Sequence, residues 1–256
     1  MTFFGNTFRF LFFLVLLSSC SQAVLNDPVS ILWYEQPAEK WDEALPLGNG
    51  RLGAMVFGHP TQDRIQLNDD SLWPHDIGWE HPAGRPKNLK EIREYLLQGD
   101  AKTADSLIVH YFSNRSITRS HQTLGDLWME WDHQEISEYK RSLDLKSATT
   151  ATQYKTQGHR VQQKVFVSHP HQVIAIYLTS EHPKGLNGKI RLDRPQDVGV
   201  NTVSVSSQGN QILMKGQVTQ RAGKFRSAPA PILSGVKFET LLNAQHKGGT
   251  LTASQG

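Results

Sequence analysis

The chain has 256 residues, of which 38% are apolar and 20% are charged, as in an ordinary soluble globular protein. This length lies near the upper end of what one hydrophobic core supports, so we expect one large domain. The 27 basic and 24 acidic residues give a formal charge of +3 and are scattered along the chain. Because no basic cluster is visible, a nucleic-acid partner is not expected.

The N-terminal segment has the pattern of an export signal. Arg9 precedes an apolar run over residues 10 to 17, which is too short to span a bilayer as a helix but fits the core of a secretory signal. The run ends in Leu17-Ser18-Ser19-Cys20, which resembles a bacterial lipobox, and Cys20 is the only cysteine of the chain. We therefore predict lipidation at Cys20. The alternative is an ordinary signal peptide cut near Ala23, which would remove this cysteine.

This interpretation divides the chain into three parts. A lipoprotein-type signal peptide covers residues 1–20, a polar spacer covers 21–29, and a folded domain covers 30–256. The protein would be exported across the inner membrane of a bacterium and anchored by lipid in the cell envelope, on the periplasmic or the outer surface. A lipid anchor would tether the domain without making it integral to the membrane.

The folded domain opens with a predicted strand over 31–34, followed by a glycine-rich block. Gly48, Gly50 and Gly53 lie within six positions, with Asn49 and Arg51 between them. Glycines permit tight turns and close approach of a ligand or a neighbouring chain. The apolar run over 52–57 predicts a buried strand, and a second strand over 64–67 would pair with it as a hairpin.

Helical signals follow the block Leu67-Asn68-Asp69-Asp70-Ser71-Leu72-Trp73. Asn88 and Glu91 have the spacing of a capping box, which predicts a helix that ends at Gly99. Asp100 can cap a second helix with an apolar stripe from Ala101 to Phe112. We expect a small helical hairpin inserted in a β-rich domain.

The rest of the chain has the alternating pattern of strands separated by turns. The predicted strands cover 127–131, 143–145, 161–167, 173–178, 189–192, 198–205 and 211–218. Regular short strands of this kind indicate a sandwich. The predicted fold class is therefore mainly β, a large antiparallel β-sandwich, or super-sandwich, with the helical hairpin inserted.

Three blocks carry a family resemblance: residues 41–58, residues 67–73, and Gln122-Thr123-Leu124-Gly125-Asp126-Leu127. Together they resemble the N-terminal domain of glycoside hydrolase family 95, which consists mainly of α-L-fucosidases, with some α-L-galactosidase activity. The resemblance covers most of residues 30 to 256. It implies a β-sandwich that a helical linker joins to an (α/α)6 barrel, which carries the catalytic residues. We therefore expect this chain to be a fragment that stops before the barrel and carries no catalytic residue.

Five residues are candidates for substrate binding or for contact with the missing barrel: Asn49, Arg51, Asn68, Asp69 and Trp73. Asn49 and Arg51 can present an amide and a guanidinium to sugar hydroxyls, or can simply support a tight turn. Trp73 can stack on a sugar, as can Trp41 or Trp79, or can serve packing. Asp69 and Asp70 are adjacent, so they make a poor acid and base pair, and a capped turn is the favoured interpretation.

No cofactor and no metal site is predicted. The histidines considered are His75, His81, His169 and His171. His169 and His171 lie in a predicted turn with no cysteine or carboxylate cluster nearby to complete a shell, so histidines of surface turns are the favoured interpretation. The glycine-rich block lacks the Gly-Lys-Ser/Thr of a phosphate-binding loop.

The expected function follows from the resemblance. The whole enzyme would remove terminal α-L-fucose from glycans by inverting hydrolysis, and this fragment alone would be inactive. Its partners would be a fucosylated glycan and, by intramolecular docking, the missing barrel, with membrane contact only through the lipid anchor. The alternatives are a stand-alone carbohydrate-binding or surface lipoprotein module, and a family member that acts on α-L-galactosides or another glycan.

Overall fold

The computed structural model describes residues 30–74, 84–113, 120–196, 202–221, 231–232 and 235–254. The predicted signal peptide, Cys20, the spacer, His75, Trp79 and His81 lie outside these residues. Two helices are described, α1 (Pro86–Leu97) and α2 (Ala101–Phe112). The strands are β1 (Ile31–Tyr34), β2 (Leu45–Gly48), β3 (Leu52–Val56), β4 (Gln62–Asp69), β5 (Gly125–Trp131), β6 (Ile136–Asp144), β7 (Thr149–Thr156), β8 (His159–Ser168), β9 (Val173–Ser180), β10 (Gly188–Asp193), β11 (Val203–Gln208), β12 (Gln211–Gln217), β13 (Gln220–Arg221), β14 (Pro231–Ile232) and β15 (Lys237–Asn243).

Two five-stranded antiparallel sheets form the sandwich. The first sheet has the order β1-β6-β7-β8-β9 and the second has the order β10-β5-β4-β3-β2. Their inner faces bury one apolar core that includes Val56, Ile65, Met129 and Val165. A third sheet, β11-β12-β15, lies beside β10 and shares this core through Met214. The predicted fold class, a large antiparallel β-sandwich with a helical insert, is confirmed.

The predicted hairpin is confirmed as β3 and β4, which pair in antiparallel register with Ala54 opposite Leu67. The structure adds strand β2 in front of β3, where the sequence predicts only a loop. Pro46 lies in this strand, and it is tolerated because β2 is at the edge of the second sheet.

The helical hairpin is confirmed, but α1 begins two residues before Asn88. Pro86 occupies the first turn, where its fixed φ and missing N–H favour helix initiation. Asn88 lies inside the helix, and its Oδ1 accepts a hydrogen bond from the Arg85 amide at 3.0 Å. Asp100 caps α2 as predicted, since its Oδ1 accepts from the Thr103 amide at 3.0 Å.

The apolar stripe of α2 is buried only in part. Ala104 is fully buried, as is Ile92 of α1, whereas the outer apolar side chains of both helices stay exposed. These exposed side chains, which we call the hairpin apolar face, are Leu89, Leu96, Leu97, Ile108, Val109 and Phe112. No helix of the described residues has the length and apolar character needed to cross a membrane.

Candidate functional site

The three blocks of the family resemblance meet on consecutive strands of the second sheet. The glycine-rich block forms β2 and β3, the next block ends β4, and the third begins β5. The β2–β3 loop and the C-terminal end of β4 lie at one end of the sandwich, which we call the loop end. The insertion that contains the helical hairpin also begins and ends here. Leu72 precedes it and Gln122 follows it, and the Gln122 amide donates to the Leu72 carbonyl at 3.0 Å.

The β2–β3 loop is a tight turn organised by Asn49. Its Oδ1 accepts from the amides of Arg51 at 3.0 Å and Leu52 at 2.8 Å. Gly50, between Asn49 and Arg51, has φ +95, a conformation that residues with a Cβ resist. Gly53 lies opposite Asn68, and a Cβ on it would come to 3.4 Å from the Asn68 Cβ. The sequence therefore builds a loop that projects the Arg51 side chain.

Arg51 joins the two sheets. Its Nη1 lies 2.7 Å from Asp69 Oδ2 on β4, and its Nε donates to Gln172 Oε1 in the β8–β9 turn at 2.8 Å. Asn49 Nδ2 donates to the Ser168 carbonyl at the end of β8 at 3.0 Å. Gln172 itself has φ +53, which is uncommon for a residue with a side chain. One non-glycine residue is thus held in a left-handed conformation where it faces Arg51.

The Asp69 carboxylate closes a polar turn, as the sequence predicts. Oδ1 accepts from the Ser71 amide at 3.1 Å and the Ser71 hydroxyl at 2.6 Å. Partial burial raises the pKa of Asp69, but the Ser71 hydrogen bonds and the Arg51 guanidinium outweigh it and hold the pKa below its usual value. The carboxylate is therefore an ionised acceptor and not a proton donor near neutral pH.

An aromatic pair flanks this turn. Trp73 is about half exposed, and its Nε1 donates to the Asp70 carbonyl at 3.0 Å. Its ring meets the His121 ring edge to face, with 5.2 Å between centroids. His121 Nε2 lies 2.9 Å from the Asp69 carbonyl, so this nitrogen carries the proton. About half of the Trp73 side chain is therefore accessible for stacking.

The third block has a mainly structural role. Gln122 Oε1 accepts from Arg194 Nη2 at 2.8 Å, and Asp126 pairs with Arg64 through two bonds of 2.9 and 3.1 Å. A Cβ on Gly125 would come to 2.6 Å from the Asp193 carbonyl oxygen, so only glycine fits. These contacts fix β5 between β4 and β10.

The remaining candidates are Trp41, His169 and His171, and both histidines belong to the β8–β9 turn that contacts Arg51 through Gln172. Trp41 is exposed and donates to Gln66 Oε1 at 2.6 Å. His171 Nδ1 lies 3.0 Å from Ser168 Oγ within the β8–β9 turn. Within the described ranges, no three His, Cys, Asp or Glu side chains are grouped as a metal site would require. A shallow depression lined by Val203, Lys215 and Gln217 lies on the third sheet, away from Arg51.

The structure therefore brings Asn49, Arg51, Asn68, Asp69 and Trp73 to the loop end, and their role in binding stays a prediction. It adds Gln172 and His121, which sequence reasoning missed. Gln172 is separated from Arg51 by 121 positions, and nothing in its local sequence marks it. His121 has a weak signal, since it directly precedes the third block.

Two five-stranded sheets packed face to face with a third sheet alongside define a β-sandwich domain, a fold that hosts many functions, so its class is read from its relatives. The family model of the glycosyl hydrolase family 65 N-terminal domain matches residues 32–256, and the chain belongs to this family. The expected N-terminal domain of a fucosidase-type glycoside hydrolase is confirmed, although the matched model is described under family 65 and not 95.

Three relatives have names that refer to fucosidases. Alpha-L-fucosidase 2 of Arabidopsis thaliana is 26% identical over 88% of this chain and 28% of its own length. Probable alpha-fucosidase A of Aspergillus niger is 28% identical over 84% of this chain and 28% of its own length. That of Aspergillus oryzae is 32% identical over 65% of this chain and 23% of its own length. The chain thus spans about a quarter of the length of these curated relatives.

Proposed function

We propose that this chain is the N-terminal domain of an enzyme that removes terminal α-L-fucose from glycans by inverting hydrolysis. The observation that carries the proposal is the similarity to proteins named α-fucosidases over 84% to 88% of this chain. In this mechanism a general acid protonates the glycosidic oxygen while a base activates water on the opposite face of the sugar. Both groups belong to a catalytic domain outside this chain, so the chain alone is inactive.

The loop end is the part of this domain that meets the substrate or the catalytic domain. The Arg51 side chain is 47% accessible, so its guanidinium is only partly covered by the protein. Asp69, held ionised beside it, fixes the guanidinium in position without removing it from solvent. The exposed face of Trp73 lies next to the same turn. These groups suit recognition of sugar hydroxyls or of a polar loop of the catalytic domain.

The hairpin apolar face docks on the catalytic domain. Leu97 is 88% exposed and Leu96 is 51% exposed, which is unfavourable for side chains left in water. The hairpin is inserted in the chain between β4 and β5, and the catalytic domain would cover its apolar face. An L96K/L97K double variant of the longer enzyme would lose fucose release, while the same change in this chain alone would leave its unfolding midpoint nearly unchanged.

The assay compares this chain with a protein that continues through the reading frame beyond Gly256. The longer protein should release fucose from 4-nitrophenyl α-L-fucoside, with the β-anomer appearing first in the NMR spectrum as inversion requires. This chain alone should release none. Fucose release by this chain would refute its inactivity, an α-anomer would refute inversion, and preference for the α-L-galactoside would favour the alternative substrate.

The lipid anchor is a separate part of the proposal and rests on the lipobox pattern that ends at Cys20. The domain would be held in the bacterial cell envelope, on the periplasmic or the outer surface. Labelled palmitate should enter the expressed protein and be absent from Cys20→Ser. Equal labelling of both proteins, or none of either, would contradict lipidation at this cysteine.

A further inference from the structure

The outer face of the first sheet carries one row of residues that crosses all five strands. The register makes each member the partner of the next, in the order Trp33, Ser142, Ala151, Lys164 and Tyr177. The adjacent positions Leu143, Thr150 and Val165 are buried against the second sheet. Since side chains alternate along a strand, the row points to solvent.

Large aromatic side chains stand at the two ends of this row. Trp33 is 54% exposed on the edge strand β1, and Tyr177 is 63% exposed on the opposite edge strand β9. Four strand spacings separate them, about 19 Å. Between the two rings, the small side chains of Ser142 and Ala151 project little from the sheet. An extended chain of rings laid across the strands would meet an aromatic face at each end.

The neighbouring rows supply polar and apolar walls. On one side lie Lys140, Gln153 and Gln162, which are partners in successive strands. Each glutamine amide offers two donors and an acceptor, which suits sugar hydroxyls. On the other side Phe166, itself exposed, lies opposite Thr149. Aromatic rings interleaved with amides are suited to stacking on the C–H faces of sugars while bonding their hydroxyls.

The uncompensated charge of this face is positive. Lys140 Nζ lies 5.0 Å from the centre of the Trp33 ring. Among the described residues, no carboxylate lies within ion-pair distance of Lys164, whereas Lys155 is paired with Glu138 at 2.6 Å. The neighbouring Asp144 accepts from the Lys146 amide at 2.8 Å and keeps its negative charge, but Lys140 and Lys164 together outnumber this single carboxylate. A ligand of complementary charge is anionic.

We propose that this face, the β1–β9 face, binds an extended anionic oligosaccharide. Its sugar rings lie across the strands against Trp33 and Tyr177, and its carboxylate or sulfate groups are met by Lys140 and Lys164. The face lies on the flank of the sandwich and not at the loop end, so it is separate from the site proposed for fucose release. It would hold the domain on an acidic polysaccharide.

Calorimetric titration of the 256-residue chain tests this with three matched hexasaccharides, a galacturonate, a sulfated galactan and a neutral galactan. We expect one or both anionic ligands to bind, the neutral one to bind at least about tenfold more weakly, and the anionic affinity to fall with added salt. The anionic ligand that binds identifies the group recognised. Equal binding of all three, or no binding, would overturn the proposal.

Variants locate the binding. Trp33→Ala and Tyr177→Ala should each weaken binding at least about tenfold, since each removes one stacked ring, whereas Tyr177→Phe keeps the ring and most of the affinity. Lys164→Gln should reduce the salt dependence. The controls are Leu241→Ala, a similarly exposed apolar position on the third sheet, and Lys189→Gln on β10. Unchanged far-ultraviolet spectra and melting would show that all variants fold.

Other results would contradict the proposal. Binding that survives both aromatic-to-alanine changes would show that the ligand lies elsewhere. Binding to phosphatidylglycerol vesicles through Trp33 and Lys164, without binding to the hexasaccharides, would assign the face to a membrane surface. Neither result would affect fucose release by the longer enzyme, so failure here is distinguishable from failure of the proposed function.

Discussion

Strand β4 carries an aspartate at each end, and the two carboxyl groups have opposite environments. Asp69, at the loop end, is ionised and bonded to Ser71 and Arg51. Asp63, at the other end, is fully buried, and burial raises its pKa to about 6, although the nearby Gln163 side chain and hydrogen bonds from the amides of His59 and Gly58 oppose the rise. The group with the greater change of pKa is the one that no ligand can reach.

The buried end is a polar cluster that holds the β3–β4 turn between the sheets. Asp63 Oδ1 accepts from the amides of Gly58 at 2.7 Å and His59 at 2.9 Å. Tyr139 donates to the Gly58 carbonyl at 2.6 Å, and Tyr154 lies 3.0 Å from the Pro60 carbonyl. A perturbed pKa does not by itself mark a functional site, because structural clusters perturb pKa values too. Only the end of β4 that solvent can reach is therefore a candidate site.

The largest effect is expected from Asp63→Asn, which removes a buried charge and keeps an acceptor for the two amides. The folded pKa of about 6 lies above the ordinary 3.8, so the folded protein binds its proton more tightly, and stability falls as pH rises through this window. The Asp63→Asn change should therefore raise the free energy of unfolding by roughly 2 to 3 kcal/mol at pH 8 and by little at pH 4.

Urea unfolding of both proteins at the two pH values checks this prediction. The control is Asp69→Asn. The carboxyl pKa of Asp69 is lowered in the folded protein, so removing this carboxylate should slightly decrease the free energy of unfolding at pH 8. An Asp63→Asn protein that is destabilised equally at both pH values would show that Asp63 is not buried as an anion.

A pair of glycine substitutions sharpens the comparison between the two ends. Gly58 has φ +75, and a Cβ on it would come to 2.8 Å from Thr152 Oγ1. Gly50 has φ +95 but no heavy atom within 4 Å of such a Cβ. We expect Gly58→Ala to cost about 2 kcal/mol, from strain and overlap, and Gly50→Ala about 1 kcal/mol, from strain alone. Equal thermal shifts would mean that the buried turn is not tightly packed.

The smallest effect on stability is expected from Arg51→Gln. Its ion pair with Asp69 is partly exposed, and such pairs contribute less than about 1 kcal/mol. Thermal unfolding in low and high salt measures this contribution. A loss of several kcal/mol would show that Arg51 is a structural clamp between the sheets, and its proposed role in recognition would be wrong.

The sequence predicts the parts of the fold whose apolar residues alternate or repeat. The hairpin of β3 and β4, the helix cap at Asp100 and the strands β8 and β9 all follow from local pattern. Strand β7 is missed because its buried positions carry hydroxyl side chains: Thr150, Thr152, Tyr154 and Thr156. Its outward positions are mostly polar as well, so the sequence shows no alternation of apolar and polar residues. Residues 136–142 of β6 are missed for a similar reason, since Arg141 points inward and is buried.

The loop end is predicted in part for a related reason. Asn49, Arg51 and Asp69 lie in blocks that stand out in the sequence, and the pairing of β3 with β4 brings them together. Gln172 belongs to a turn of the other sheet, and only the packing of the two sheets brings it to Arg51. Contacts between sheets depend on long-range packing, which local sequence does not specify.

The measurement that tests the account most directly is fucose release by the longer enzyme carrying Arg51→Gln, with Asp63→Asn as the matched control at the other end of β4. The account predicts that Arg51→Gln lowers kcat/KM at least about tenfold with an unchanged melting temperature, as loss of a charged contact to substrate or catalytic domain would. Asp63→Asn should leave kcat/KM unchanged. Full activity of the Arg51→Gln enzyme, or equal losses in both variants, would contradict the assignment of the loop end as the functional end of this domain.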